Sequence, residues 1–318
     1  MAARRGKSAV AAVVVTYNRK KLLRENLAAL MGQQDAPLFD IIVIDNASTD
    51  GTQAMVGALS QEYGAEGPAL LYENTGANLG GAGGFQYGVR FAVEQGYAYL
   101  WLMDDDCIPE PDTLAELWRA DCSLRGHYGW LSSQARWRDG SICAMNVQRR
   151  TLTRNVSDFS SPFVPCVMAS FVSLFLRAER VRDFGLPIKE FFIWTDDWEY
   201  TRRISRRYPC YLVNGSRVLH KSASNIPANL AVDAPERLPR YHYLYRNDVY
   251  LYRREGLAGF CYEVVRLGWH VMRVLFLARD LRRERLGALL SGTRAGFSFR
   301  PAIEFPDSSV ALVGEGDR

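Results

Sequence analysis

An α/β fold, with a mostly parallel central sheet flanked by helices, is predicted by three observations on these 318 residues. The first is a pair of β-branched, continuously apolar runs, "AVAAVVVTY" and "FDIIVIDN", of the kind a strand buried on both faces requires. The second is the segment between them, "RKKLLRENLAALMGQ", whose apolar residues fall at helical spacing and complete a βαβ unit. The third is that the alternation continues through the strand "ALLYEN", a glycine-rich stretch, the helical "FQYGVRFAVEQG" and the strand "YAYLWLM".

Each later element follows from the same reading. From about residue 125 the texture changes to mixed strands and loops, "GWLSSQARWRDGSICAMNV" and "CVMASFVSLFLRAERV". The helical "DDWEYTRRISRR" and the strand "CYLVNGSRVLH" come next, and residues 237 to 290 read as helical and rich in Arg and Tyr. The tail after Pro301 is expected to be loose. No low-complexity linker divides the chain, so one compact domain in two lobes is expected.

Composition narrows the function classes. An apolar content of 48% supports a sizeable core, and a mild net charge of +4, with arginine thickening in the last third, gives no reason to expect nucleic acid. Six scattered cysteines without a CxxC pair read neither as a disulfide framework nor as a metal finger, which points to a reduced, cytoplasmic setting. The N-terminal apolar stretch Ala9 to Val15 is short, runs into a basic segment and is read as the first strand. A run of about 18 apolar residues, as a spanning helix needs, is missing from the sequence.

Ligands of such sheets lie outside the carboxyl ends of the strands, so the polar residues there are candidates. They are Thr16, Tyr17, Asn18 and Arg19 after the first strand, Asp45, Asn46 and Ser48 after the second, Asn74 after the third, and Asp104, Asp105 and Asp106 after the fourth. Three adjacent carboxylates repel one another unless a cation shares the site, and hard oxygen ligands suit Mg²⁺ or Mn²⁺ with a phosphate-bearing ligand alongside. The plain alternative is a solvated acidic loop. Asp45 is placed to bond a nucleotide base or ribose, while Ser48, Thr49 and Asp50 suit a helix cap.

"NLGGAGGF", with Asn78, Gly80 and Gly81, reads as a close backbone approach to a ligand or as a tight structural turn, and does not match GxGxxG. In "FFIWTDDWEYTRR", Asp196 and Asp197 suit a helix start, and their tryptophan neighbours Trp194 and Trp198 suit sugar recognition beside an acceptor-activating base. His220 ends a strand and is either a packing residue or a metal ligand. Arg246, in "RYHYLYRNDVYLYRR", touches phosphate or belongs to a packing helix.

With these residues assembled, the chain resembles the inverting GT-A glycosyltransferases of family 2. "VVVTYNR", "IIVIDNASTDGT", "NLGGAGGF" and "MDDD" stand in that family's order, and "FFIWTDDWEYTRR", "LVNGSRVLH" and "YLYRNDVYLYRR" extend the match through most of the remaining chain. The pattern is most similar to bacterial galactofuranosyltransferases and rhamnosyltransferases. The resemblance implies a GT-A catalytic domain over 1–236, with a nucleotide-sugar half at 1–110 and an acceptor half at 111–236, and a helical extension over 237–318.

It also implies a nucleotide-sugar donor, UDP-galactofuranose or dTDP-rhamnose, bound by Thr16, Tyr17, Asn18, Arg19, Asp45, Asn46, Asn78, Gly80, Gly81, Asp104 and Asp105. A divalent metal, Mn²⁺ or Mg²⁺, would sit on Asp104, Asp106 and His220. The base would be Asp197 or Asp196, with Asp197 favoured, and the acceptor, a glycan attached in some relatives to polyprenyl diphosphate, would meet Trp194, Trp198 and Arg246. No Q/RxxRW element of the processive members is present, so transfer of one or a few sugars is expected.

Two readings from other classes compete, a catalytically silent sugar-binding module and a nucleotidyltransferase. The first has no use for a metal site and a base together. The second normally shows a glycine-rich loop where this chain has "TYNR". "VVRLGWHVMRVLFLARDLRRERLGALL" reads as a basic amphipathic helix that lies on the inner face of a plasma membrane, packs on the catalytic domain or forms an oligomer interface.

Overall fold

The computed structural model describes residues 8–63 and 67–307. Its first half alternates strand and helix as the apolar pattern dictates: β1 (Val10–Thr16), α1 (Lys20–Met31), β2 (Phe39–Asp45), α2 (Thr52–Tyr63), β3 (Leu70–Asn74), α3 (Gly80–Glu94) and β4 (Tyr99–Asp104). Then follow β5 (Cys107–Pro109), α4 (Thr113–Leu124), β6 (Leu131–Arg136), β7 (Phe163–Pro165), β8 (Leu174–Arg177), α5 (Ala178–Phe184), α6 (Asp196–Ser205) and β9 (Tyr211–His220). Three helices close the chain, α7 (Leu238–Arg253), α8 (Gly256–Leu277) and α9 (Arg282–Ser298).

The strands form one sheet in the order β3-β2-β1-β4-β8-β6-β9-β5, with β7 also on β9. β1 through β4 run parallel, whereas β8 and the short β5 run antiparallel to their neighbours. Every residue from Val10 to Val15 is buried because the sheet is covered on both faces. Ala11, Val13, Val15, Ile42 and Ile44 meet Phe85, Val89 and Ala92 of α3 on one side. Val10, Ala12, Val14, Ile41 and Val43 meet Leu23, Leu27 and Leu30 of α1 on the other. Full burial of each Val, Leu, Ile or Phe among them contributes about 1.5–3 kcal/mol, so the two-sided pattern fixes the register of the central strands.

α3 lies unusually close to the sheet because glycines face it every fourth residue. A Cβ on Gly84 would stand 2.6 Å from Val15 Cγ1, and one on Gly88 would stand 2.5 Å from Val13 Cγ1. Gly80, at φ +71°, lies directly against the backbone oxygen of Phe192. The glycines of "NLGGAGGF" thus serve a close approach of protein to protein at 80 and 84, and only Gly81 faces open space.

Two expectations for the last third are corrected. The basic segment is not one helix: Leu281, at φ 44°, breaks it between α8 and α9. Nor is the start of the tail loose. Glu304 pairs with Arg90 (2.5 Å) and Lys189 (2.6 Å), its backbone oxygen accepts from Leu186 N–H (2.8 Å), and Ile303 packs with Phe191 and Tyr250. Residues 308–318 lie outside the described residues. Among the described residues no helix is long and apolar enough to cross a membrane.

Candidate active site

Parallel register assembles the site's floor. Thr16 stands opposite Asp45, Asp45 opposite Asn74, and Val15 opposite Asp104, so the polar ends of β1, β2, β3 and β4 lie in one row at the carboxyl edge. The antiparallel pairing of β5 with β9 adds the remaining member, since Cys107 stands opposite His220 and brings the imidazole beside Asp106.

The three aspartates take different partners. Asp105 is buried and accepts from Thr16 Oγ1 (2.7 Å) and Arg19 Nη1 (3.3 Å). Asp106 is buried, accepts from Arg19 Nη1 at 2.9 Å, and has His220 Nε2 at 3.1 Å from its Oδ1. Asp104 is half-buried and has no side-chain hydrogen bond among the described residues. Much of the cation that the crowded charges demand is therefore supplied by Arg19 and His220, and the unmet charge is left on Asp104. Burial, with Asp106 beside it, pushes its carboxyl up to about 7. Asp105 rises to about 6 through burial, against the pull of Arg19. At Asp106 burial works in the same direction but is outweighed by His220 and Arg19, so its carboxyl is held below the ordinary range.

The donor set fits a hard divalent cation. Ligand atoms of Asp104, Asp106 and Cys107 lie within 4.8 Å of one another, and Asp106 Oδ1 is a buried oxygen that accepts no aligned hydrogen bond. Burial holds the Cys107 thiol well above its usual range, so it stays protonated and leaves the carboxylates as the anionic ligands. His220 joins through Asp106. Its Nδ1 lies 2.8 Å from Asn146 Oδ1, and the Asn146 amide is oriented by donating to Ser170 Oγ (3.0 Å). That arrangement assigns the proton to Nδ1 and turns Nε2 toward the aspartates, the outer-shell support a metal-ligating histidine normally has.

A pH dependence follows. The raised Asp104 carboxyl means that the folded, metal-free chain holds this proton more tightly than the unfolded chain. Its contribution to stability is full below the unfolded value of 3.8 and is lost as pH rises through about 7. A divalent cation stabilises the ionised form, so Mn²⁺ is expected to raise the melting temperature more at about pH 8 than at about pH 5.5. His220 adds to the same sign, because its proton, held up to about 10 by Asp106 against the effect of burial, must leave before Nε2 can bind a metal. Equal shifts at the two pH values in a melting assay would remove both groups from the metal site.

Most other polar residues at the strand ends brace loops. Asp45 is fully buried, and its oxygens accept from Ser48 N–H (2.8 Å) and Tyr72 OH (2.7 Å). Asn18, at φ 52°, accepts from Thr49 N–H (2.7 Å). Asn46 donates to the Gly80 oxygen (3.0 Å), and Asn78 accepts from Gly80 N–H (2.9 Å). Tyr17, 43% exposed, and Gly81 are left facing outward.

On the opposite wall, the loop before α6 is strained. Phe192, Trp194 and Thr195 all have φ between 63° and 67°, a conformation costly for bulky and β-branched residues. α7 holds it there. Fully buried Asn247 donates to the backbone oxygens of Phe191 (3.0 Å), Ile193 (3.2 Å) and Trp194 (2.9 Å). Asp248 accepts from Thr195 Oγ1 (2.6 Å) and is itself paired with Arg266 of α8 (2.6 Å). The loop presents Asp196, buried, and Asp197, half-buried, in the first turn of α6. Burial, then Asp196, and in lesser measure Asp104 push the Asp197 carboxyl well above the usual range, so Asp197 feels the aspartate cluster across the site. Burial also raises Asp196, to about 6.

The three acceptor-side residues of the sequence reading all make contacts within the chain. Arg246 is spent on the chain itself: it donates to the oxygens of Glu190 (2.5 Å) and Phe191 (3.2 Å) and to Asn247 Oδ1 (3.0 Å). Trp194 packs edge-on against Tyr241 with Arg237 over its ring, and Trp198 lies under Arg149 beside Met168 and Leu251. Both tryptophans are half-buried packing residues. The residues that sequence reasoning missed are Asn146, Asn247 and Asp248. The last two follow Arg246 directly in the quoted "YRND", so the signal was present but read one residue early.

Asn247→Ala removes the one amide group that serves three backbone oxygens of a strained loop. It is expected to cost about 2–3 kcal/mol of stability and to lower turnover more than donor binding. Calorimetry and steady-state kinetics measure the two; unchanged turnover would show that the loop holds its shape unaided.

A carboxylate cluster at the carboxyl edge of a mostly parallel sheet, facing a helix-borne acidic pair, defines a glycosyltransferase of the GT-A fold. Residues 11–125 match the family model described as glycosyl transferase family 2. Galactofuranosyltransferase GlfT1 of Mycolicibacterium smegmatis is 28% identical over 298 residues, covering 87% of this chain and 96% of the relative. GlfT1 of Mycobacterium tuberculosis is 27% identical over 280 residues, covering 82% and 88%. Among solved structures, mannosyltransferase PcManGT from Pyrobaculum calidifontis, in complex with GDP-Man and Mn²⁺, aligns with a TM-score of 0.57 at 17% identity, covering 92% of this chain and 76% of that one. S. aureus TarS 1–349 in complex with UDP aligns with a TM-score of 0.51 at 16% identity, covering 91% and 72%.

Proposed function

We infer that this protein is an inverting, metal-dependent galactofuranosyltransferase that uses UDP-galactofuranose and adds one or a few residues to a glycan acceptor of the bacterial envelope, at the cytoplasmic face of the membrane. The observation that carries the chemistry is the opposition of two acidic groups, Asp104–Asp106 on the sheet edge and Asp197 on α6, with Asp104 near enough to help raise the Asp197 carboxyl. The donor sugar rests on the likeness to GlfT1, which runs through 82–87% of this chain.

Each wall has a task. Asp104 and Asp106, with His220 joining through Asp106, would hold the divalent metal, which when bound neutralises the leaving diphosphate. Arg19 keeps Asp105 and Asp106 ionised and aligned, and Tyr17 and Gly81 offer the open surface for the nucleotide sugar. Asp197 Oδ1 is occupied by the backbone N–H of Trp198 at 2.7 Å, while its other oxygen has no partner among the described residues. Its raised proton affinity makes it a stronger base than an ordinary carboxylate, suited to take the proton of an acceptor hydroxyl as that hydroxyl attacks. Attack from the wall opposite the diphosphate inverts the anomeric centre.

The test is transfer from a panel of nucleotide sugars with and without Mn²⁺, using a short galactan or a lipid-linked disaccharide as acceptor. UDP-galactofuranose is expected to lead the panel, in a metal-dependent manner and with inverted product. A dTDP-rhamnose donor in first place would overturn the donor, and a retained anomeric configuration would overturn the mechanism.

A further inference from the structure

α8 is turned the opposite way from an ordinary surface helix. Its three charged residues face inward or sideways: Glu263 is buried, and Arg266 is paired with both Asp248 (2.6 Å) and Glu263 (2.7 Å), while Arg273 is half-buried. None of its exposed residues carries a charge. Leu257 is 78% exposed, Val265 71%, Trp269 62% and Phe276 73%, with Val264 and Leu275 beside them. At 100° per residue these positions fall within about 140° of the helix circumference, along about 30 Å of its length. A continuous apolar face of this size marks a contact surface.

Charge identifies what covers it. The segment 237–300 holds thirteen arginines against five carboxylates, a surplus of eight, although the whole chain carries only +4. Exposed Arg254 stands just before α8, and exposed Arg279, Arg282 and Arg283 stand just after it. Exposed Asp280 and Glu284 stand among the latter, and both ends of the apolar face keep a net positive charge. A two-fold pairing of α8 with a second copy would set arginine ends against each other or stack them in parallel, and either arrangement opposes association. An anionic lipid surface accepts both features at once, with the apolar face in the acyl boundary, the tryptophan at headgroup depth and the arginines on the phosphates.

We propose that α8 is a membrane-docking helix, lying in the plane of an anionic bilayer with Leu257, Val264, Val265, Trp269, Leu275 and Phe276 inserted and the flanking arginines on lipid phosphates. This differs from the basic amphipathic helix that the sequence predicts, because the arginines lie at its ends and within the protein and not along an outer stripe. The inference does not depend on which sugar is transferred.

The experiment is co-sedimentation of the full chain, without sugar donor, with vesicles of phosphatidylcholine alone or with about one-third phosphatidylglycerol, alongside light scattering of the protein free in solution. The wild-type chain is expected to sediment with the anionic vesicles and to stay largely in solution with the neutral ones. Val265→Glu/Phe276→Glu is expected to lose at least about tenfold in vesicle affinity. Arg279→Glu/Arg282→Glu is expected to lose only the preference for anionic lipid. Circular dichroism checks that both variants fold, since every altered side chain is exposed. Failure of the wild type to bind anionic vesicles, binding unaffected by Val265→Glu/Phe276→Glu, or a stable dimer that this double variant dissociates would each overturn the proposal, the last in favour of a second copy as the occupant.

Discussion

Asp197→Asn is expected to lower the rate of sugar transfer by about 10²–10⁴-fold while leaving donor binding nearly unchanged. The amide preserves the shape of the side chain, and its oxygen can still accept the Trp198 N–H, so the first turn of α6 keeps its geometry. What it loses is the ability to take a proton. The loss should appear in kcat, with the donor KM and the melting shift induced by the nucleotide sugar retained. Asp196→Asn is the informative comparison, because Asp196 is more deeply buried in the same turn and farther from solvent. A smaller effect at 196 than at 197 assigns the base to Asp197, and the reverse ranking would transfer the role to its neighbour.

Asp104→Asn should act on stability and on function in opposite directions. In the metal-free protein Asp104 is the member of the triple aspartate without a hydrogen-bonding partner, and its carboxyl is pushed up to about 7 by burial and by Asp106. Above that pH the ionised carboxylate works against the fold, so a neutral isostere relieves the repulsion. The variant is expected to melt about 2–4 °C above the wild type at about pH 8 without metal, and to show no difference below about pH 4, where both side chains are neutral. With Mn²⁺ present the order inverts, since the variant has lost an anionic ligand and most of its transfer activity. A destabilised metal-free variant at high pH would mean that Asp104 is satisfied by contacts other than a cation.

The central sheet was legible because burial on both faces writes itself into the chain as unbroken apolar runs, and because a parallel strand pair needs the helix that the intervening segment encodes. The same logic located the carboxyl edge and its polar residues. It did not reveal what those residues touch. Asp45 and Asn46 read as ligand-facing because strand-end polar groups are often so, and Asn78 because it opens a glycine-rich stretch, whereas the short loops around them leave backbone N–H and C=O groups that the same side chains satisfy. His220 meets Asp106 through a pairing of β5 with β9 that spans more than a hundred positions and leaves no periodic trace in the sequence. The apolar face of α8 was misread for a similar reason. Arg266 looks like a surface charge until Asp248, eighteen positions earlier, is folded against it.

The glycines of α3 make catalysis and folding share one seam. Gly84 and Gly88 let the helix settle onto β1 and β2, and Gly80, one turn earlier on the same side, lets it touch the loop that carries Asp196 and Asp197. A methyl group at 84 or 88 would tilt the helix, and the tilt would be delivered at its N-terminal end to Phe192. The position of the base thus depends on how flat a helix can lie two turns away, so a lesion that looks purely architectural is expected to appear first as slow turnover in a protein that still folds.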